Sequence, residues 1–399
     1  MTKKPPSILL MLLLAFPQIS ETIYTPSLPD IARDLHTSAT LVEWTLSIYF
    51  VGFALGVFFW GLFCDKKGRR LSILYGLVTY FLGCLGCFLS SSIYELLCWR
   101  FIQAFGASTG SVTTQTILRD LFQGKERSRF FSMASGVLAF APAIGPLLGG
   151  GLDLLFGWQS NFLFLLTLSV ALLSCAFCWL YETKKSQANA NDKEPSIAKT
   201  ATKILLDRKI WSHALLIGGC NGILFGFYAE APFIFISVFK LNSFEYGYLG
   251  ILIALASVIA ARISYKMNSH RSPYQIINTG CLTCLIGSIL GVLTSFFFYE
   301  AALFSIPFLV YCSSFFIIFI GIGLIIPNTL SQALANHQES LGIAGATFGL
   351  LYYILIAIFI GLLSAVHTND SLTLLPLYAL LLSIWMFFDF KTSTKVCFK

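Results

Sequence analysis

Long apolar runs recur along the whole of this chain, and they leave it few ways to fold. About twelve stretches of roughly 18 to 25 residues are each long enough, at about 1.5 Å per helical residue, to cross a hydrocarbon core of about 30 Å. They fall near 7–25, 42–63, 71–90, 95–117, 130–152 and 160–181, then near 210–238, 246–264, 275–297, 303–326, 342–365 and 371–390. Only 11% of the 399 residues are charged and 56% are hydrophobic, against a charged share of about 25% in soluble domains. The solvent of this chain is lipid, and the expected class is an all-α membrane protein of twelve transmembrane helices.

The bases orient it. Lys and Arg collect in short loops on the cytoplasmic side, and with both termini inside, all of the 26 bases fall there except Arg33, Lys240 and Arg100. The opposite orientation would break the rule in nearly every loop. The net charge of +7 is therefore a topology signal that requires no nucleic-acid partner. Lys3 and Lys4 before the run Ile8 to Phe16 imitate a secretory signal, but no small-residue cleavage pattern follows, so the first span is read as retained.

The one long polar stretch, Tyr181 to Lys209, divides the spans into two sets of six. The expected organisation is an N-terminal six-helix bundle over 1–181, a cytoplasmic linker over 182–209 and a C-terminal six-helix bundle over 210–399. Three C-x-x-C spacings, Cys84/Cys87, Cys175/Cys178 and Cys281/Cys284, lie inside apolar spans without a neighbouring histidine, so they are read as packing residues. No metal, disulfide or cofactor is assigned. Neither a nucleophile, base and metal constellation nor a phosphate-binding glycine loop is found, and an enzyme is not expected.

Between spans 2 and 3 the chain reads Gly61-Leu62-Phe63-Cys64-Asp65-Lys66-Lys67-Gly68-Arg69-Arg70. Asp65 and Arg69 are four apart and can pair along a helix face, while Gly68 permits a tight turn. This G-x-x-x-D-x-x-G-R-R spacing resembles the loop between helices 2 and 3 of the major facilitator superfamily. The resemblance implies two six-helix bundles with a substrate site between them. It also implies a cytoplasmic gate in which the Asp meets the positive end of a helix from the other half and the Arg reaches an acid at the end of span 4. Asp120, in Leu118-Arg119-Asp120-Leu121, is placed to be that acid. The expected gate is Asp65, Gly68, Arg69 and Asp120. At the corresponding 8–9 connection, Arg262 to Asn268, the Asp and Gly are missing.

Arg100 falls within span 4, where a charge costs at least ~2.5 kcal/mol and so marks a functional position. Its R-x-x-Q-x-x-G context, Arg100 to Gly106, resembles the superfamily's span 4 motif, which implies a role in proton coupling or substrate charge. In span 5, Gly145, Pro146, Gly149 and Gly150 allow close helix approach. The core G-P-x-x-G-G resembles the antiporter motif of exporters and implies efflux.

Glu21 and Glu230 stand in spans 1 and 7 without a local base, and burial moves a carboxyl group toward the neutrality a proton carrier needs. Thr22-Ile23-Tyr24-Thr25-Pro26-Ser27-Leu28-Pro29-Asp30-Ile31-Ala32 resembles the D-x-Y-L-P-A-L-P-x-I-A signature of the bicyclomycin and chloramphenicol resistance branch of drug:proton antiporters. The branch's Asp falls at Thr22, so the acid here is one residue earlier, about 100° around a helix. Phe227 to Phe233, Thr45 to Ala54, and Pro327-Asn328-Thr329-Leu330 with Gly342 to Gly349 extend the resemblance. Glu43 and Gln159 replace a usual Gln and Arg at the flanks of spans 2 and 5.

The expected protein is a twelve-helix carrier, a functional monomer in a bacterial inner membrane. It exports a small amphipathic substrate against an inward flow of protons. Glu21, and secondarily Glu230, would take the proton while Arg100 holds the first carboxylate charged. The alternatives are a carrier of one metabolite or siderophore, and a membrane sensor that keeps the fold without a transport cycle.

Overall fold

In a computed structural model the described residues are 5–184, 197–297, 305–333, 341–367 and 372–397. They are helical almost throughout, and no strand occurs among them. Ten helices are long and apolar enough to cross a membrane. The fourth span falls short of that measure because Arg100 and the Gln, Ser, Thr and Gly residues from Gln103 to Thr116 dilute its apolar side chains, and in the fifth Ala143–Phe156 is a shorter apolar helix.

The first six spans are α1 (Ser7–Thr22) continued by α2 (Leu28–Asp34), α3 (Ala39–Lys67), α4 (Arg69–Leu89), α5 (Ile93–Leu121), α6 (Gly124–Phe156) and α7 (Gln159–Trp179). A linker helix α8 (Ile197–Leu206) precedes the second six. These are α9 (Arg208–Pro232), α10 (Ser243–Gly247) with α11 (Leu249–Asn268), α12 (Pro273–Phe297), α13 (Ser305–Ala333), α14 (Leu341–Ala365) and α15 (Leu374–Cys397). The first span outruns the expected 7–25, because a 3₁₀ turn at Thr25–Ser27 carries it to Asp34. The seventh ends at Pro232 and runs on as a π-helical turn, Phe233–Val238. The Arg262 to Asn268 segment is the last stretch of α11 and not a loop.

Local chemistry sets the ends. Ser38 and Ser92 accept the Leu41 and Glu95 amides and cap α3 and α5, and Asn242 and Glu245 form a reciprocal capping box on α10. Gly68 breaks α3 from α4 at φ 103°, a conformation that costs a residue with a Cβ dearly.

Two bundles of six result, and they meet along two seams. In one, α3 runs antiparallel to α14: Ser47 Oγ donates to Ala357 O at 2.8 Å, Gly349 approaches Val57, and Gly61 approaches Ala346. In the other, α6 packs on α10 and α11. Spans 2 and 11 form the first seam and spans 5 and 8 the second, so the pairs exchange when each half is advanced by six, as a parallel repeat requires. The linker helix is amphipathic, and its Ile204 is buried beside Ala344 and Phe348 of α14.

Candidate functional site

Three clusters of polar and aromatic side chains lie along or beside the interface between the bundles. At the end bearing the α3–α4 turn, Arg69 Nε donates to Asp120 Oδ2 at 2.8 Å, and its Nη1 is 3.6 Å from Asp65 Oδ1. Arg69 Nη1 also donates to Cys64 O at 3.2 Å. The turn at Gly68 and the packing of α5 therefore gather Asp65, Arg69 and Asp120, each from a different helix. The α3/α14 seam carries Asp65 toward the first turn of α14, and a cavity of about 260 Å³ is walled by Asp65 and Asp120 on one side and by Gly345 and Tyr352 on the other. The positive end of α14 thus faces an acid.

Glu182 was not singled out in the sequence. Its carboxylate accepts the amides of Arg69 (3.0 Å), Arg70 (3.2 Å), Thr183 (3.0 Å) and Lys184 (2.8 Å), and it lies where a Cβ at position 68 would stand. Lys184 Nζ donates to Asp65 O at 2.6 Å. The root of the linker is clasped to the gate turn. Partial burial pushes the Glu182 carboxyl up, but the four amides outweigh it and hold it below the usual 4.5.

The glycine helix α6 occupies the seam. Gly145 abuts Thr22, and a Cβ on Gly149 would overlap the Ile23 carbonyl. The opposite edge meets the second bundle, Gly150 against Ser243 and the Pro146 carbonyl against Gly247. These residues let α6 lie between α1 and α10 at backbone distance.

Arg100 and Glu21 lie deep in the first bundle, 0% and 2% exposed. The guanidinium sits between the rings of Tyr24 and Tyr49, at 4.1 and 4.2 Å from their centroids. Its Nη1 donates to Gln103 Oε1 at 2.6 Å and to Ser20 O at 3.4 Å, while Nε and Nη2 have no hydrogen-bond partner. Among the described residues Arg100 has no carboxylate within 4.0 Å, and the tyrosines occupy its two faces, so it acts on Glu21 through its field and not through an ion pair. Glu21 Oε1 is without a partner, within electrostatic reach of Tyr49, Tyr228 and Tyr353. Around it, rings from both bundles meet, Phe50 on Phe225 at 4.5 Å and Phe53 on Tyr353 at 4.8 Å. Sequence alone singled out none of these aromatics. Their only local sign is the helical spacing of Tyr49, Phe50 and Phe53.

Glu230 lies toward the other end, 1% exposed, and it is not alone. His367, just beyond α14, places Nδ1 2.9 Å from Glu230 Oε2 and 2.8 Å from Glu43 Oε1. Glu43 belongs to the first bundle, and Glu230 and His367 to the second. The ring nitrogen is hydrogen-bonded to Glu230 and lies close to Glu43, so one imidazole links the two bundles. His367 was missed in the sequence, where a histidine after a long apolar run carries no signal. Asp153, in the last turn of α6, is buried beside Asp30 and Ser243.

Two bundles of apolar helices with buried polar and aromatic side chains along their interface are the architecture of a membrane transporter. Residues 10–361 match the sequence profile of the Major Facilitator Superfamily, and the chain belongs to that family. It is similar to an uncharacterized transporter of Rickettsia bellii, 31% identical over 384 residues that cover 96% of this chain and 94% of the relative. It is 28% identical over 344 residues to multidrug resistance protein D of Escherichia coli, covering 86% and 84% of the two chains. Among solved structures a D-xylose-proton symporter superposes with a TM-score of 0.71 at 15% identity, covering 95% and 96%. Such transporters are not enzymes, and the chain is a multi-pass membrane protein.

Proposed function

We propose that the protein exports small amphipathic compounds from the cytoplasm in exchange for protons. It would do so as a monomer in a bacterial inner membrane, with both termini and the Asp65 gate on the cytoplasmic side. The observation that carries this reading is Glu21: a buried carboxyl group with an unpartnered oxygen, near where aromatic rings of both bundles meet, which in this reading is the substrate chamber. A carboxyl group in that position is uncharged at little cost and charged at great cost unless a cation approaches. Proton and amphipathic substrate therefore compete for the chamber. Arg100 supplies a fixed positive field a short way off, and the three N–H groups of its unpartnered Nε and Nη2 can donate to a polar group of the substrate. In this reading the proton rides on Glu21, and Glu230 belongs to the outer gate with His367 and Glu43.

Alternating access follows from the two gates. Asp65, Arg69, Asp120 and the first turn of α14 close the inner end, and α6 on α10 with the Glu43–His367–Glu230 bridge closes the outer end. Antiport requires that the two not open together. The 28% identity to a multidrug resistance protein supports export, as does the Gly145, Pro146, Gly149 and Gly150 helix lying in the seam. The test is fluorescence dequenching in everted vesicles carrying a respiration-driven proton gradient, with a panel of amphipathic drugs. Drug-triggered proton release should be present in wild type and absent in Glu21→Gln. Release that survives in Glu21→Gln would remove Glu21 from the proton path, and no release with any drug would point to a carrier of one metabolite.

A further inference from the structure

The outer bridge holds a mismatch of charge. Glu43 is 0% and Glu230 1% exposed, and the His367 side chain is 4% exposed. If the imidazole is protonated, two carboxylates share one positive charge. Among the described residues no other cation lies within 4.0 Å of either carboxylate. Both oxygens of Glu43 lack a hydrogen-bond partner, although Oε1 points at His367 Nδ1. Buried charges without a counter-charge are costly, and such a site favours whatever ligand brings the missing positive charge.

We infer that Glu43, Glu230 and His367 form a binding site for a divalent transition-metal ion of the Zn2+ class, which clamps the two bundles together at the outer gate. One donor atom from each of the three side chains lies within 4.8 Å of the others. Zinc takes carboxylate oxygen and imidazole nitrogen at about 2.0–2.2 Å, so a tetrahedral ion needs its donors about 3.4 Å apart. The pairs at 2.8 and 2.9 Å would part by about half an ångström, within the freedom of glutamate rotamers. A mixed nitrogen and oxygen set suits zinc better than magnesium or calcium, which prefer oxygen alone.

On binding, the proton on Nδ1 leaves to solvent, and two carboxylates with a neutral imidazole balance the 2+ ion. The fourth position faces a route in. His367 lines a cleft of about 690 Å³ together with Phe233, Ser237 and Arg33. Arg33 does not bar a cation there, because Asp30 (2.9 Å) and Asp34 (3.3 Å) already neutralise it. The ligands come from both bundles, so the ion spans the seam that must part when the outer gate opens. The inference rests on the outer gate alone and is independent of Glu21 and of drug export.

The test uses the full chain in lipid nanodiscs, with Zn2+ alone by calorimetry and Co2+ alone by absorption. One saturable ion per chain is expected, with affinity reduced at least tenfold in Glu43→Gln and in Glu230→Gln. The two losses should be similar, since one ligand from each bundle is needed. His367→Cys keeps a ligand of different colour: a thiolate-to-cobalt absorption band that wild type lacks should appear, which a merely destabilised protein would not produce. Absence of binding, binding unchanged in Glu43→Gln, or no new band in a folded His367→Cys would each leave the cluster as a hydrogen-bonded latch only and overturn the proposal.

Discussion

Replacing Arg100 by methionine should cost little stability and abolish transport. The guanidinium makes two ring contacts, at 4.1 and 4.2 Å, each worth about 2 kcal/mol when desolvated. Its bond to Gln103 at 2.6 Å adds about 1.5–3 kcal/mol. Against that gain of about 6 kcal/mol stands the burial of an ion, several kcal/mol. To it is added the cost of two unpartnered donors, Nε and Nη2, about 1–3 kcal/mol each. The terms nearly cancel, so Arg100→Met should change unfolding free energy by no more than about 2 kcal/mol in either direction. Breaking an ordinary buried ion pair costs about 3–5 kcal/mol. Unfolding by SDS in mixed micelles measures the stability, and drug-triggered proton release in everted vesicles measures the function. A loss of about 4 kcal/mol or more would show the guanidinium to be a structural tie, and full transport in the variant would refute its role in the chamber.

Gly149→Val should lower stability by about 1–3 kcal/mol, because its Cβ meets the Ile23 backbone, which cannot yield; Gly151→Ala, whose Cβ meets the Phe244 ring at 3.5 Å, is the tolerated control in the same thermal assay. Asp120→Ala removes a charge-assisted bond of 2.8 Å from Arg69 worth about 1.5–3 kcal/mol, and alkylation of buried Cys64 beside it should speed up roughly 10- to 100-fold; an unchanged rate would show that Asp120 does not hold the proposed gate shut. The Glu182 clasp should depend on pH. Its carboxyl is held below the unfolded value of 4.5, so its contribution is present above about pH 4.5 and is lost as pH falls through the lower folded value. Exposure keeps it below about 1 kcal/mol. The stability difference between wild type and Glu182→Gln should therefore vanish in acid, and a difference that persists would assign the effect to shape.

What could be read in advance follows from how each interaction is built. Asp65 and Arg69 are four residues apart across the Gly68 turn, and the G-P-x-x-G-G run reports its own need for close packing, so both were visible in the chain. Arg100 was visible because a charge in an apolar run has no innocent explanation. Its partners were not: the sandwich by Tyr24 and Tyr49 needs the first span, α3 and α5 in their packed positions. Glu182 was hidden in a segment that composition marks only as a polar linker.

By itself the sequence determined the spans, their number and the division into two sets of six. The reason is that hydrocarbon thickness acts on each segment independently of its neighbours. Only the tertiary structure decided what the buried charges do. Glu43 lies in α3, Glu230 in α9 and His367 just beyond α14, and no local rule links them. They meet because α3 and α14 run antiparallel along one seam and the seventh span ends beside it. Contacts across a seam depend on how whole helices pack, and helix packing is set by the fit of many side chains at once.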